Sequence, residues 1–381
     1  MYRITFACLL AASVALPAWA DIAVSVNDGH TVLVNGVQVA PNPVKPDTLS
    51  VIEFGKAPPR VLSSIDVPGS VVGPPMSVWV SPDESWAIAT SATKNDATAT
   101  GGIGPDDRVS VVDLTAKPMK IVQSLGAGLG ATVVRVSPDG AVALIANRAE
   151  GTVSVYGVKD KRLTPVAKVD LGNPKAGPSG VGFSHDGKTA LVSRDGDNKV
   201  SILRLDGTKV TMDPVPLITA IRPYTLDVNA AGTMAVVANL GSQSADADSV
   251  SIIDLTGARP RVVSTTSVPP QPEGLKLSPD GKLLAVGSQL GTQRPRVDPF
   301  YTSMGLFSLY AVQGHELRLL ATAPIGGWNQ GIAFSRDGRT ILVQSMADKR
   351  IEVFGWDGKR LTRGKPLDMG IGPEAIRTSW P

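Results

Sequence analysis

Cysteine is almost missing from this chain of 381 residues: the single one, Cys8, falls inside an apolar stretch at the N-terminus. Disulfides, a thiolate nucleophile, a CxxCH haem attachment and Cys-based metal sites are therefore excluded from everything that follows. Histidine is nearly as scarce, with three residues, His30, His185 and His315, so no histidine-rich centre can be built. Charge is low at 19% and almost balanced, 37 Lys and Arg against 34 Asp and Glu, with no basic block. A nucleic-acid partner is not expected of such a chain. Motifs of common catalytic machinery are absent too: there is no GxSxG elbow, no HExxH helix and no GxxxxGK phosphate loop. The string GAGLG at 126–130 has no helix-forming run behind it and reads as a connector between strands. What is plentiful is punctuation, with 39 Gly and 30 Pro, which argues against long helices and coiled coils.

The N-terminus reads as an address. Arg3 precedes an apolar run of about thirteen residues, Ile4 to Leu16, and Pro17 then leads into Ala18-Trp19-Ala20 before Asp21. This is the pattern of a secretory signal, with cleavage expected after Ala20 and a periplasmic or secreted product. The run is shorter than the roughly eighteen residues of a bilayer span, and no second one follows, so no transmembrane anchor is expected. Without Arg3 the remainder carries 36 basic and 34 acidic residues.

Residues 21–381 carry a repeat, clearest at one turn. VSPDGAVALIAN (136–147), FSHDGKTALVSR (183–194), LSPDGKLLAVGS (277–288) and FSRDGRTILVQS (334–345) each read strand, tight turn, strand. Asp-Gly between apolar runs is a strong hairpin signal, because glycine accepts the positive φ of the turn. VSPDESWAIAT (80–90) and VNAAGTMAVVAN (228–239) are variants, and VNDGHTVLVNG (26–36) reads as a seventh copy. A third strand follows each turn: LSVIEF, VSVVDL, VSVYGV, VSILRL, VSIIDL, FSLYAV and IEVFGW. Turn spacings of 45–57 residues with four strands per repeat predict propeller blades. A linear β-solenoid would need shorter coils. The expected fold is all-β, one seven-bladed β-propeller over 21–381 with four-stranded blades. Because GPEAIRTSW (372–380) copies the start of a blade, as in QPEGLKLSP (271–279), and then stops, the C-terminal strand is expected to pair with strands from 22–70 and close the ring.

The SPDG turn, the VSVxDL strand and the Pro-x-Gly start of each inner strand resemble the YVTN-type repeat proteins of the seven-bladed lactonase-like propeller superfamily. The Gly-His and Trp-Asp signatures of WD-type repeats are absent. The resemblance covers nearly all of 21–381 and implies fold more than function, because its motifs belong to the scaffold. Relatives include sugar-lactone hydrolases, a muconate-lactonizing group and subunits serving electron-transfer dehydrogenases. The His and Arg pair typical of cytosolic phosphogluconolactonase-like members at the inner-strand start is missing here.

Long loops between second and third strands, at 36–48, 91–108, 240–249 and 289–305, are expected on one rim, where binding surfaces commonly lie. One column around the ring at the inner-strand start reads Met76, Thr132, Ser179, Tyr224, Glu273, Gln330 and Glu374; another, near second-strand ends, contains Arg148, Arg194 and Gln289, with Asn147, Asn239 and Gln344 nearby. The ligand-binding candidates are Arg148, Arg194, Tyr224, Trp328, Asn329, Gln330 and Gln344, suited to a small polar or anionic ligand. Trp328 stands out as a stacking platform, while the other tryptophans, including Trp380, read as blade packing. Glu273 and Glu374 are the catalytic candidates, as a carboxylate pair or as holders of a divalent metal with Asn239 or Asn329. No cofactor is required by the sequence, and all three histidines are expected on the opposite rim. Two functions are carried forward: a monomeric exported propeller that binds a small molecule or a periplasmic protein, and a hydrolase of a lactone or related ester.

Overall fold

In a computed structural model, residues 21–55 and 58–379 are described; the expected leader and Trp380 lie outside the described residues. Seven antiparallel sheets follow one another along the chain, four-stranded except that the outer position of the last is shared by Leu361–Arg363 and Leu367–Asp368. Blade 1 combines both termini, and blades 2 to 7 run in chain order. Every inner strand packs against the inner strands of both neighbours, so the ring is closed. Among the described residues no helix is long and apolar enough to cross a membrane.

The strand sequences explain this arrangement. Inner and second strands such as Pro178–Phe183 and Thr189–Arg194 are buried along their whole length, whereas an outer strand such as Arg60–Asp66 is mostly exposed. A strand covered on both faces needs a continuous apolar run instead of an alternating one. The core accordingly lies between blades: Leu144, Val153 and Val155 of blade 3 pack with Val181, Ala190 and Val192 of blade 4. Each fully buried side chain of this kind contributes about 1.5–3 kcal/mol.

The repeated turn works through three side chains. Ser137 Oγ donates to Asp139 Oδ1 at 2.5 Å and accepts from the Val142 amide at 3.0 Å, while Asp139 accepts from the Ala141 amide at 3.0 Å. Gly140 takes a φ of +73°, and in the variant of blade 2 Glu84 occupies the equivalent position at +54°.

Ring closure follows the expectation, since Gly372–Thr378 pairs antiparallel with Ile22–Asp28, with Val26 opposite Ala375. The seventh copy of the turn does not. Asp28 lies opposite Gly372, at the start of the inner strand, so the VNDGH segment belongs to the loop rim. The Asp28 carboxylate accepts from the His30 and Thr31 amides at 2.8 Å each, a local turn that has the chemistry of the repeat without its position. The blade 1 turn is instead interrupted by the chain termini. The first blade's loop consequently runs from 29 to 47 and contains its own hairpin, Val32–Val34 with Val37–Val39, turning at Asn35 and Gly36. Blade 2's loop forms a second small ladder, Thr93–Asn95 with Ile103–Pro105. These loops touch: Ala40 N donates to Gly101 O at 2.8 Å, and Arg296 N to Asn35 Oδ1 at 2.8 Å. Arg294 of blade 6 also reaches the Gln243 carbonyl in the blade 5 loop.

Candidate functional site at the loop rim

Glu273 is the second residue of the inner strand Pro272–Leu277 and remains partly exposed. Its carboxylate accepts from Gln289 Nε2, and from Gln330 Nε2 at 3.3 Å. Gln289 is held in turn by the Asn329 carbonyl at 2.8 Å. Burial lifts the Glu273 carboxyl to about 7, against the opposing pull of the two amides and of Arg222 and Arg148. Those two cations are clamped together: Arg148 binds Asp195 in a fork at 2.6 and 2.8 Å, and Arg222 reaches the same carboxylate at 3.2 Å. Arg148 also lies 5.5 Å from the centre of the Tyr224 ring, whose hydroxyl burial pushes well above its ordinary range. Beside Glu273, the side-chain oxygens of Gln330 and Asn329 are buried without a partner. The sector thus offers a proton acceptor and two oriented guanidinium groups, while Gln330 and Asn329 are fully buried and the Asn329 amide lies against Gly287 and Gly305.

Glu374 sits at the equivalent height in blade 1 but in other company. Each glutamate turns toward the following blade, so Glu374 accepts from Ser77 Oγ at 2.8 Å and the Ser70 amide at 3.4 Å. Burial, and then the charge of Asp28, hold its carboxyl well above the usual range. Nearby, His30 Nδ1 contacts Asp47 at 2.8 Å and Asp28 at 3.1 Å, with Nε2 3.1 Å from the Thr93 hydroxyl. His30 is therefore on the loop rim, contrary to expectation, because VNDGH is not the repeat turn; His185 and His315 lie at the opposite rim as expected. Asp28, His30 and Asp47 bring ligand atoms within 4.8 Å of one another. Their carboxylate oxygens, however, already accept from the amides of Gly29, His30, Thr31, Gly69 and Val71, which makes the group a clasp for the loop. Glu273 and Glu374 do not share a partner, and neither belongs to that group.

The remaining candidates divide. Tyr224, Arg148 and Gln330 gather around Glu273, and Asn329 stands beside it with its Nδ2 donating to the Ser288 carbonyl at 2.9 Å. Arg194 turns back into its own blade, onto Asp197 and, at 3.0 Å, Ser201. Gln344 ties blade 7 to blade 1 through Ser25 Oγ at 2.9 Å and the Ala375 carbonyl at 3.0 Å. Trp328 is only 5% exposed, packed with Val71, Met346 and Leu33 under the blade 1 loop, where it borders a small cavity with Asp28, Pro43 and Lys45 and stands apart from the Glu273 group. Asp195 and Arg222 were not among the expected residues. The signals were present, since Asp195 follows Arg194 and Arg222 precedes the Pro223 that opens an inner strand.

The geometry defines a closed seven-bladed propeller with a charged, hydrogen-bonding mouth at its loop rim. Residues 131–295 match the model of the family described as Lactonase, 7-bladed beta-propeller. No curated protein matches the chain. Among solved structures, a periplasmic gluconolactonase of Pseudomonas aeruginosa is 19% identical with a TM-score of 0.66, over 93% of this chain and 99% of that one. A Bacteroides uniformis protein described as a candidate 6-phosphogluconolactonase is 16% identical with a TM-score of 0.71, over 94% and 99%. A functionally unknown protein from Desulfotomaculum acetoxidans is 14% identical with a TM-score of 0.70, over 95% and 99%. The chain therefore resembles the lactonase-like seven-bladed propellers, as the repeat motifs imply, and at these identities the solved structures establish fold alone.

Proposed function

We propose that the protein hydrolyses a sugar lactone at the Glu273 mouth. The observation that carries this reading is a single carboxylate with a raised pKa placed beside two guanidinium groups that one aspartate holds in position. Ionised Glu273 takes a proton from water as the water oxygen bonds to the lactone carbonyl carbon. Negative charge that develops on the carbonyl oxygen is stabilised by Arg148 or Arg222, which Asp195 already orients. The ring C–O bond then breaks, Glu273 returns the proton to the departing oxygen, and a hydroxy acid results. Likeness to the Pseudomonas periplasmic gluconolactonase supports the substrate class, and the periplasmic location expected from residues 1–20 belongs to the same proposal; N-terminal sequencing of exported protein tests cleavage after Ala20.

The decisive assay follows opening of a slowly self-hydrolysing aldono-1,4-lactone by the purified protein. Turnover above background, reduced by about 10²–10⁴ in Glu273→Gln and little changed in Glu374→Gln, is the expected result. A wild-type rate no faster than buffer across a panel of aldonolactones would sink the hydrolase and leave the same mouth as a binding site.

A further inference from the structure

The inner strands end, at the turn rim, in a second group of charges. Three residues beyond Glu273 comes Lys276, which is 1% exposed and binds Asp227 at 3.0 and 3.2 Å. Arg377, at the same height in blade 1, reaches Asp227 Oδ1 at 3.0 Å, and the Leu277 amide fills Oδ2 at 2.9 Å. Arg135 of blade 3 has no carboxylate partner among the described residues; its Nη1 donates to the carbonyls of Val134 at 2.6 Å and Val78 at 3.2 Å. Lys276 and Arg377 therefore share one carboxylate, and Arg135 lies near them without one. Nη2 of Arg135 and Nε of Arg377 are buried with no hydrogen-bond partner. The charge balance shows in the titration of the group: burial, and then the neighbouring Arg377, pull Arg135 well below its ordinary range. Lys276 is likewise lowered by burial to about 8, with Asp227 opposing the shift.

Arg135, Asp227 and Arg377 border a cavity of about 480 Å³ that is also lined by Arg336 and His185 and has Trp79, Val136 and Phe183 among its apolar walls. The volume falls in the ordinary range of small-molecule sites. Buried charge left without a counter-ion costs several kcal/mol, so an excess of cations beside an open cavity is best balanced by an anion from outside. We infer that the turn-rim end of the channel binds a small organic carboxylate, its carboxylate on the Arg135 and Arg377 guanidinium groups and its apolar body against Trp79 and Phe183. Guanidinium forks match carboxylate geometry, and the aromatic and aliphatic walls favour a body without hydroxyls. The site lies at the opposite end of the inner strands from Glu273 and does not depend on the hydrolase reading.

The test uses residues 21–381 and titrates benzoate, benzamide and inorganic phosphate at constant ionic strength, with binding followed by calorimetry. Saturable benzoate binding at least about tenfold tighter than either comparator is expected, a difference of about 1.4 kcal/mol. Arg135→Gln is expected to weaken benzoate at least about tenfold. Because that change also removes two contacts to backbone, Ala230→Trp provides a second variant: Ala230 is exposed at the cavity rim, and an indole there should obstruct the cavity in a normally folded protein. No saturable benzoate binding, or unchanged binding in both variants, overturns the site. Equal affinity for benzamide overturns the role of charge, and equal affinity for phosphate overturns the apolar body. Glu273→Gln should keep its benzoate affinity even if no lactone is ever turned over, which separates the two readings.

Discussion

Glu273 has a proton affinity that can be tested without knowing the substrate. Its raised carboxyl means that, between the ordinary glutamate range and about pH 7, the folded chain holds a proton that the unfolded chain has released. The associated stability is complete below the unfolded pKa and is lost as pH rises through about 7. Glu273→Gln removes the cost of the ionised form, so its stability relative to wild type is expected to improve between pH 4 and pH 8, by about 1–3 kcal/mol. Denaturant melts at the two pH values check this, and an improvement in the opposite direction contradicts the raised pKa. The same ionisation predicts that kcat/KM for lactone opening rises with pH through about 7. Lining up the repeats was enough to find Tyr224, Glu273, Gln330 and Arg148, because a column in a repeat reports height along the channel. It does not report direction. Asn147 and Asn239 share a column of apparent ligands, yet each points into its blade, donating to Ser154 at 2.9 Å and Ser251 at 3.1 Å respectively. The serine of the VSV strand is thus the partner of the asparagine. Asn239→Ala, which strands those hydroxyls, is expected to cost about 1–3 kcal/mol in urea denaturation and leave turnover intact.

At the scale of the element, the turns are interchangeable in chemistry and unequal in surroundings. A Cβ at Gly140 would meet nothing within 4 Å, so Gly140→Ala should cost only the positive-φ penalty of about 1–2 kcal/mol. The same change at Gly232 puts a Cβ 2.2 Å from the His185 amide nitrogen and is expected to cost distinctly more. Comparing the two urea midpoints decides the matter, and equal losses would show that the neighbouring turn yields. The misplaced seventh turn has its cause at this scale as well. Asp-Gly reports that the chain reverses, and nothing within four residues says at which end of a strand the reversal occurs. The position of His30 followed from that reading, and with it the loop clasp of Asp28, His30 and Asp47.

The whole molecule is held as a ring by one blade made from both chain ends. The repeat made this legible, since GPEAIRTSW is a blade start with no turn after it. The lateral ties were not: Gln344 joins blade 7 to Ser25 and Ala375, contacts between residues far apart in the chain. A chain ending at residue 371 loses the inner strand Gly372–Thr378, which uncovers the edge of Ile22–Asp28 and removes the packing on the inner strands of blades 2 and 7. The full chain is expected to unfold in one cooperative transition in calorimetry and the shortened chain is not; the same transition in both would mean that the ring does not need its seam.

The pairing of Val26 with Ala375 also sets an order in time. A strand made among the first remains without its inner neighbour until almost the last residue has left the ribosome, and contacts this distant form slowly. The ring stays open, with its first blade one strand short, until Gly372–Thr378 has joined it.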